Sequence, residues 1–196
     1  MQIVSDLVLA AVVIVAAITD LRTGRIYNWL VYPAIALGLA LGAAGGAMDG
    51  GSDGALAGLK DHALGAGFAF GVLVLCFAIG GMGGGDVKLM AAVGALGGWS
   101  HSGEPWFPVW AIFYAFAIGA VLGILAALWK RCLGVAAVRT WWGARMLTVP
   151  GTSLNEAVPV ATIRVPFGLA TCLGTLWLLT EDATGTTLGS LLARLY

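Results

Sequence analysis

The sequence predicts an all-α polytopic membrane helix bundle of about six transmembrane helices with the N- and C-termini outside, and three observations carry that expectation. Of the 196 residues, 60% are hydrophobic and only 10% charged, with a mean hydropathy of +0.94, whereas a soluble domain has about a quarter of its residues charged. Apolar runs approaching the roughly 20 residues a helix needs to cross a bilayer recur along the whole length. Lys and Arg also segregate to alternate connections once those runs are laid out. A single integral membrane domain over residues 1–196 is therefore expected, with the lipid bilayer as its surroundings and no nucleic-acid partner.

Taken in order, the first span covers about residues 3–20 and ends at Asp20. No Lys or Arg precedes Arg22, so it lacks the basic start of a cleavable signal peptide and reads as a retained, reversed anchor. The second and third spans, about 29–47 and 63–80, carry small residues four apart, Gly38 with Gly42 and Gly67 with Gly71, which allow helices to approach closely in lipid. The fourth, about 86–99, is short for a crossing unless Gly80–Gly85 continues it at membrane depth under the cover of protein or water. The fifth, about 107–129, repeats the small-residue spacing at Gly119 and Gly123, and the sixth covers about 164–180. Between these two lies an interfacial connection with Arg139, Trp141, Trp142 and Arg145, and with a capping box at Ser153 and Glu156. Leu188, Leu191, Leu192 and Leu195 predict a short amphipathic helix at the end.

Orientation follows from the cations. Arg22, Arg25, Lys88, Lys130, Arg131, Arg139, Arg145 and Arg164 fall on one side and only Lys60 and Arg194 on the other, so the first side is cytoplasmic. Asp6, Asp49, Asp53, Asp61, Glu104, Glu181 and Asp182 lie outside, leaving Asp20, Asp86 and Glu156 on the basic side. Asp20 and Asp86 thus share one face of the membrane. The three cysteines, Cys76, Cys132 and Cys172, are scattered and read as small packing residues, and His62 and His101 stand alone as loop or interface residues. Neither a metal site nor a cofactor is expected.

A carboxylate at membrane depth costs about 2.5 to 3.5 kcal/mol even on lenient insertion scales, so Asp86 must be near the surface, paired, hydrated or protonated. One reading makes it a helix cap on the fourth span, with Lys88 as counter-charge, and makes Asp20 an interfacial residue balanced by Arg22 and Arg25. The other brings the two acids together as an aspartic peptidase dyad that shares one proton: one carboxylate acts as base toward a water while the other donates to the substrate carbonyl. The glycine-dense stretch Gly80–Gly85 would let an extended chain lie against the backbone.

The motifs decide between these readings through a resemblance. GxGD at Gly83–Asp86, followed by Val-Lys-Leu-Met, together with TDLRTGRIYNWL at Thr19–Leu30, resembles the type IV prepilin peptidase family of intramembrane aspartic peptidases. Asp20 and Asp86 match its catalytic aspartates. Arg22, Ile26, Asn28, Gly83, Gly85 and Lys88 match accompanying positions, with Gly84 between the motif glycines, and Pro166 and Gly168 in IRVPFGLA match the motif that opens the last span. Tyr27 stands where the family commonly has proline. The resemblance implies cleavage of the basic leader of type IV prepilins, Flp prepilins or pseudopilins after a glycine, at the cytoplasmic face of the bacterial inner membrane, with no metal. Because the chain begins at the first span, it is expected to lack the cysteine-bearing methyltransferase-type domain of longer members and to resemble the peptidase-only members that serve tight-adherence pili. Presenilin-like and signal-peptide peptidases share GxGD but pair the first acid with Tyr, whereas Thr19 precedes Asp20 here. From another class, a small proton-coupled transporter or structural subunit would use Asp20 and Asp86 as relay or pairing residues.

Overall fold

The computed structural model describes residues 1–78, 82–129 and 166–184. Five α-helices and one small β-ribbon make up these residues: α1 (Gln2–Thr23), α2 (Asn28–Ala78), α3 (Gly84–Gly97), β1 (Ser100–His101), β2 (Glu104–Pro105), α4 (Phe107–Trp129) and α5 (Phe167–Thr184). Three of the helices, α1, α2 and α4, are long and apolar enough to cross a membrane. The expected connection at 130–163, with its capping box, and the expected C-terminal amphipathic helix lie outside the described residues. The chain divides into a main body, described at 1–78, 82–118 and 166–184, and a second unit described only at 119–129, the last turns of α4.

The second and third expected spans are the two arms of α2. Gly50 (φ −147°, ψ 23°) and Gly51 (φ 63°, ψ −140°) break the helical backbone between them, and the Gly51 conformation is one that side-chain-bearing residues rarely adopt. The arms then run back along each other on glycine: Gly42 faces Gly58 and Gly46 faces Gly54, so closely that a Cβ on Gly46, Gly54 or Gly58 would run into the backbone opposite. Backbones in such contact gain dispersion energy that lipid cannot match.

α3 is the centre of the main body. From Leu89 to Gly98 every residue is buried, and the helix packs most extensively against α2. A helix that is apolar on every side is a buried one. Its 14 residues give about 21 Å of length, short of the roughly 30 Å hydrocarbon layer. Enclosure by protein is the condition under which so short an element is tolerated at membrane depth. Leu9, Val13, Val31, Leu73, Leu89, Met90 and Val93 form the core around it.

The small-residue pairs behave unequally. Gly38 packs against the Ala95 carbonyl and Gly42 against His62, as close approach requires, but nothing lies within 4 Å of a Cβ built on Gly67 or Gly71. The second arm of α2 instead meets α3 through Gly65, which lies against Gly94. The spacing of four that Gly67 and Gly71 share is therefore not used for close contact among the described residues, while Gly65, two residues before Gly67, is.

Two further differences arise at the end of the body that holds Asp6, Asp61 and Asp182. Residues 100–105 form an antiparallel ribbon closed by Ser102 (φ 51°) and Gly103 (φ 84°), a two-residue turn whose positive φ values match the twist of its strands. His101 is not alone there. It is buried, its Nδ1 is 3.1 Å from the Gly97 carbonyl, and its Nε2 lies 3.1 Å from Asp6 Oδ1 and 3.4 Å from Asp182 Oδ2. Ser102 bonds Asp182 and accepts from Gln2. His62 belongs to an α2 arm, with Nδ1 2.7 Å from the Ala95 carbonyl, and Asp61 accepts the N–H groups of Trp99 (3.0 Å) and Ser100 (3.2 Å). This polar cluster ties the starts and ends of several elements together at the end remote from Asp20.

Candidate active site

Asp20 stands near the C-terminus of α1. Gly24 closes that helix in the left-handed conformation (φ 62°, ψ 28°), donating its N–H to the Asp20 carbonyl at 2.7 Å, the usual chemistry of a helix stop. Arg22, exposed in the last turn, sits where a cation complements the helix dipole. The half-buried Asp20 side chain turns toward α5, and its Oδ2 accepts the Gly168 N–H at 2.8 Å. α5 begins just before this point: the carbonyl of half-buried Pro166 accepts the N–H groups of Leu169 (3.1 Å) and Ala170 (3.2 Å). Gly168 therefore belongs to the first turn, where helical N–H groups have no partner within the helix.

Asp86 lies in the first turn of α3, after Gly83 at the N-cap position (φ −77°, ψ 144°). Its N–H donates to the Gly83 carbonyl at 3.1 Å, and its carboxylate lies beside Gly83, on which a Cβ would stand 3.0 Å from Asp86 Oδ2. Asp86 thus holds the third helical position, the one from which the acid of a capping box acts. An acid there suits the positive end of the helix dipole, but that placement does not exhaust the surroundings of the residue. The carboxyl groups of Asp20 and Asp86 are near enough for their charges to act on each other. Asp20 and Asp86, 66 positions apart in the sequence, come to one end of the main body because α1 packs against both α3 and α5.

The glycines shape this meeting. A Cβ on Gly85 would stand 3.2 Å from the Ile26 Cβ, so the start of α3 abuts the connection that follows Asp20, while a Cβ on Gly84 would meet the Phe77 ring at 3.5 Å and one on Gly83 the Asp86 carboxylate at 3.0 Å. Gly80 and Gly81 lie outside the described residues. Lys88 donates to Asn28 Oδ1 at 3.2 Å and lies 5.4 Å over the Tyr32 ring. Tyr27, in place of the expected proline, opens α2 with its carbonyl, which accepts the N–H groups of Leu30 (3.1 Å) and Val31 (3.3 Å).

Asp20, Asp86, Gly83, Gly84, Gly85, Lys88, Asn28 and Pro166 thus gather where α1, α3 and α5 meet the start of α2, with Arg22 at the edge. Sequence reasoning paired Gly168 with a motif but gave it no chemistry, since a backbone N–H leaves no mark in a residue's identity. Among the described residues, no group of three or more His, Cys, Asp or Glu side chains is arranged to hold a metal ion. The arrangement is one in which a water between two carboxyl groups can be activated by one while the other protonates an oxygen.

Comparison with known proteins bears on this geometry. Neither the curated proteins nor the solved structures contain a match. Residues 7–128 match the type IV leader peptidase family. That stretch contains Asp20 and Asp86 together with Gly83, Gly84, Gly85 and Lys88 at the start of α3, and it ends before Pro166. A match of this extent covers more than half of the 196 residues, and the chain belongs to the type IV leader peptidase family.

Proposed function

We propose that this leader peptidase is a membrane-embedded aspartic endopeptidase that removes the basic leader of type IV prepilins, Flp prepilins or pseudopilins, cutting after a glycine at the cytoplasmic face of the bacterial inner membrane. The observation that carries the reading is the packing of α1 against α3 and α5, with Gly85 against Ile26, which puts Asp20 and Asp86 at one end of the main body. One carboxylate takes a proton from a water held between the two, the resulting hydroxide adds to the scissile carbonyl, and the protonated partner donates to the carbonyl oxygen. Collapse of the tetrahedral intermediate then transfers a proton to the leaving amine and breaks the C–N bond. Neither a metal nor a cofactor enters this chemistry. A substrate whose apolar helix lies in the bilayer presents its leader junction at the membrane surface, which agrees with acids at the ends of α1 and α3.

The test is cleavage of co-expressed type IV and Flp prepilins by wild type, Asp20→Asn and Asp86→Asn, with membrane insertion measured in parallel. The expected result is cleavage after the leader glycine by wild type and a loss of about a thousandfold or more in each variant, the upper part of the range for removing an acid or base. Wild-type-like cleavage by either variant would refute the dyad. Should all three insert and none cleave any precursor, the proton-coupled transporter or structural subunit gains, with Asp86 reduced to a helix cap.

A further inference from the structure

We propose that Gly168 is a positioning residue for the peptidase reaction: its N–H, in the first turn of α5, fixes the orientation of the Asp20 carboxylate. The inference rests on the peptidase reading above and goes beyond it by giving the last helix a part in the dyad.

The Gly168 N–H lies 2.8 Å from Asp20 Oδ2, and no acceptor within α5 competes for it, because the first helical N–H groups lack intrahelical carbonyls. Pro166 and Phe167 carry no side-chain oxygen that could serve as an N-cap. Asp20 therefore does from α1 what Ser or Asp does within a helix, capping the N-terminus of α5 from another element. The bond works in both directions: α5 gains a cap, and the Asp20 carboxylate gains a fixed donor that leaves its other oxygen for chemistry. Only glycine fits this position. A Cβ on Gly168 would lie 2.9 Å from both the Cβ and Oδ2 of Asp20, closer than real side chains come, so any larger residue moves either the carboxylate or the start of α5. Since the dyad depends on where two carboxyl groups stand relative to one water, that movement falls on catalysis.

Gly174 provides the comparison within the same helix. A Cβ there would stand 2.9 Å from the Ala115 N and 3.0 Å from the Tyr114 carbonyl carbon, against α4, and its role is close packing alone.

The experiment uses the full chain in nanodiscs with a prepilin that the wild type cleaves. Gly168→Ala is expected to lower kcat about 100-fold, the scale of a misplacement near 1 Å, with KM within about threefold of wild type and normal insertion. Gly174→Ala is expected to lower the melting temperature while keeping kcat per folded molecule. A second measurement does not depend on activity: amide hydrogen exchange at Gly168, read by NMR on ¹⁵N-glycine-labelled protein. The Gly168 amide should be protected in wild type and exchange at least about tenfold faster in Asp20→Ala. The proposal is overturned if Gly168→Ala keeps wild-type kcat, if its loss only follows the folded fraction, or if Gly168 exchanges equally fast in wild type and Asp20→Ala. A wild type that cleaves no precursor removes the peptidase reading and the positioning role with it. Cleavage by wild type, loss in Asp20→Asn and none in Gly168→Ala removes the positioning role alone.

Discussion

Lys88, two residues after Asp86, reaches Asn28, eight residues after Asp20, and so joins the two acidic motifs through side chains that are themselves neither acid. A lysine after a membrane-surface acid invites the idea of a counter-charge, yet the ammonium is hydrogen-bonded to an amide oxygen at 3.2 Å and stacked over Tyr32 at 5.4 Å. The physical consequence is a fixed spacing between the start of α3 and the start of α2. Both side chains keep contact with solvent, so the bond is of the ordinary kind, about 1 kcal/mol. Lys88→Met and Asn28→Ala are each expected to lower cleavage about three- to tenfold, and the double variant to lose little more than the worse single one. The non-additivity, about 1 kcal/mol in a double-mutant cycle on kcat/KM, measures the link. Strictly additive losses would leave Lys88 with a positive-inside role only. The sequence marks both residues as neighbours of a motif, but a separation of 60 positions hides that they are neighbours of each other.

Among the elements, glycine decides which faces meet. Gly65 and Gly67 are two residues apart on one arm of α2, and their surroundings are opposite: the first is pressed against the Gly94 backbone of α3, and the second has nothing within 4 Å. Gly65→Ala is therefore expected to cost about 1–3 kcal/mol, the range for overfilling a packed contact, and Gly67→Ala to add up to about 1 kcal/mol through the better helix propensity of alanine. Thermal denaturation of the two variants in the same detergent reads the difference; equal shifts would deny that α3 and α2 touch through Gly65. This contrast also marks what could be read in advance. The positions of the helices follow from hydropathy, because a run too apolar for water must be buried in lipid or protein, and expected spans at 3–20 and 107–129 lie within or on α1 and α4. The identity of the packed face does not follow, since lipid is as apolar as a neighbouring helix and leaves no polar stripe to mark the outside. For the same reason the burial of α3 on all sides was legible only as an unexplained shortness. In the site, the acids announced themselves because charge at membrane depth is costly, whereas the Gly168 donor did not, because any residue but proline carries a backbone N–H.

At the scale of the whole molecule, the two ends of α1 carry opposite assignments. Asp6 lies with His101 and Asp182 at one end, and Asp20 lies with Gly168 and Asp86 at the other. The 14 helical residues from Asp6 to Asp20 separate them by about 21 Å. A proton relay would need acids spread along a route between these ends, while a peptidase needs both of its acids at one end and that end facing the leader. The distribution of Lys and Arg predicts a cytoplasmic location for that end, and accessibility tests it. In a background with Cys76, Cys132 and Cys172 replaced by Ala, single cysteines at the exposed positions Ser52, Ser100 and Thr23 sample the α2 turn, the ribbon and the end of α1. Ser52→Cys and Ser100→Cys are expected to react with a membrane-impermeant maleimide in intact spheroplasts, and Thr23→Cys only after permeabilisation. The reverse pattern would turn Asp20 and Asp86 away from the cytosolic leader and so remove cytoplasmic cleavage, even if the dyad itself were sound. Labelling of all three from one side would deny that α1 crosses the bilayer, and with it the orientation read from the charges. The expected pattern leaves Asp20 and Asp86 facing the compartment in which a basic leader is made.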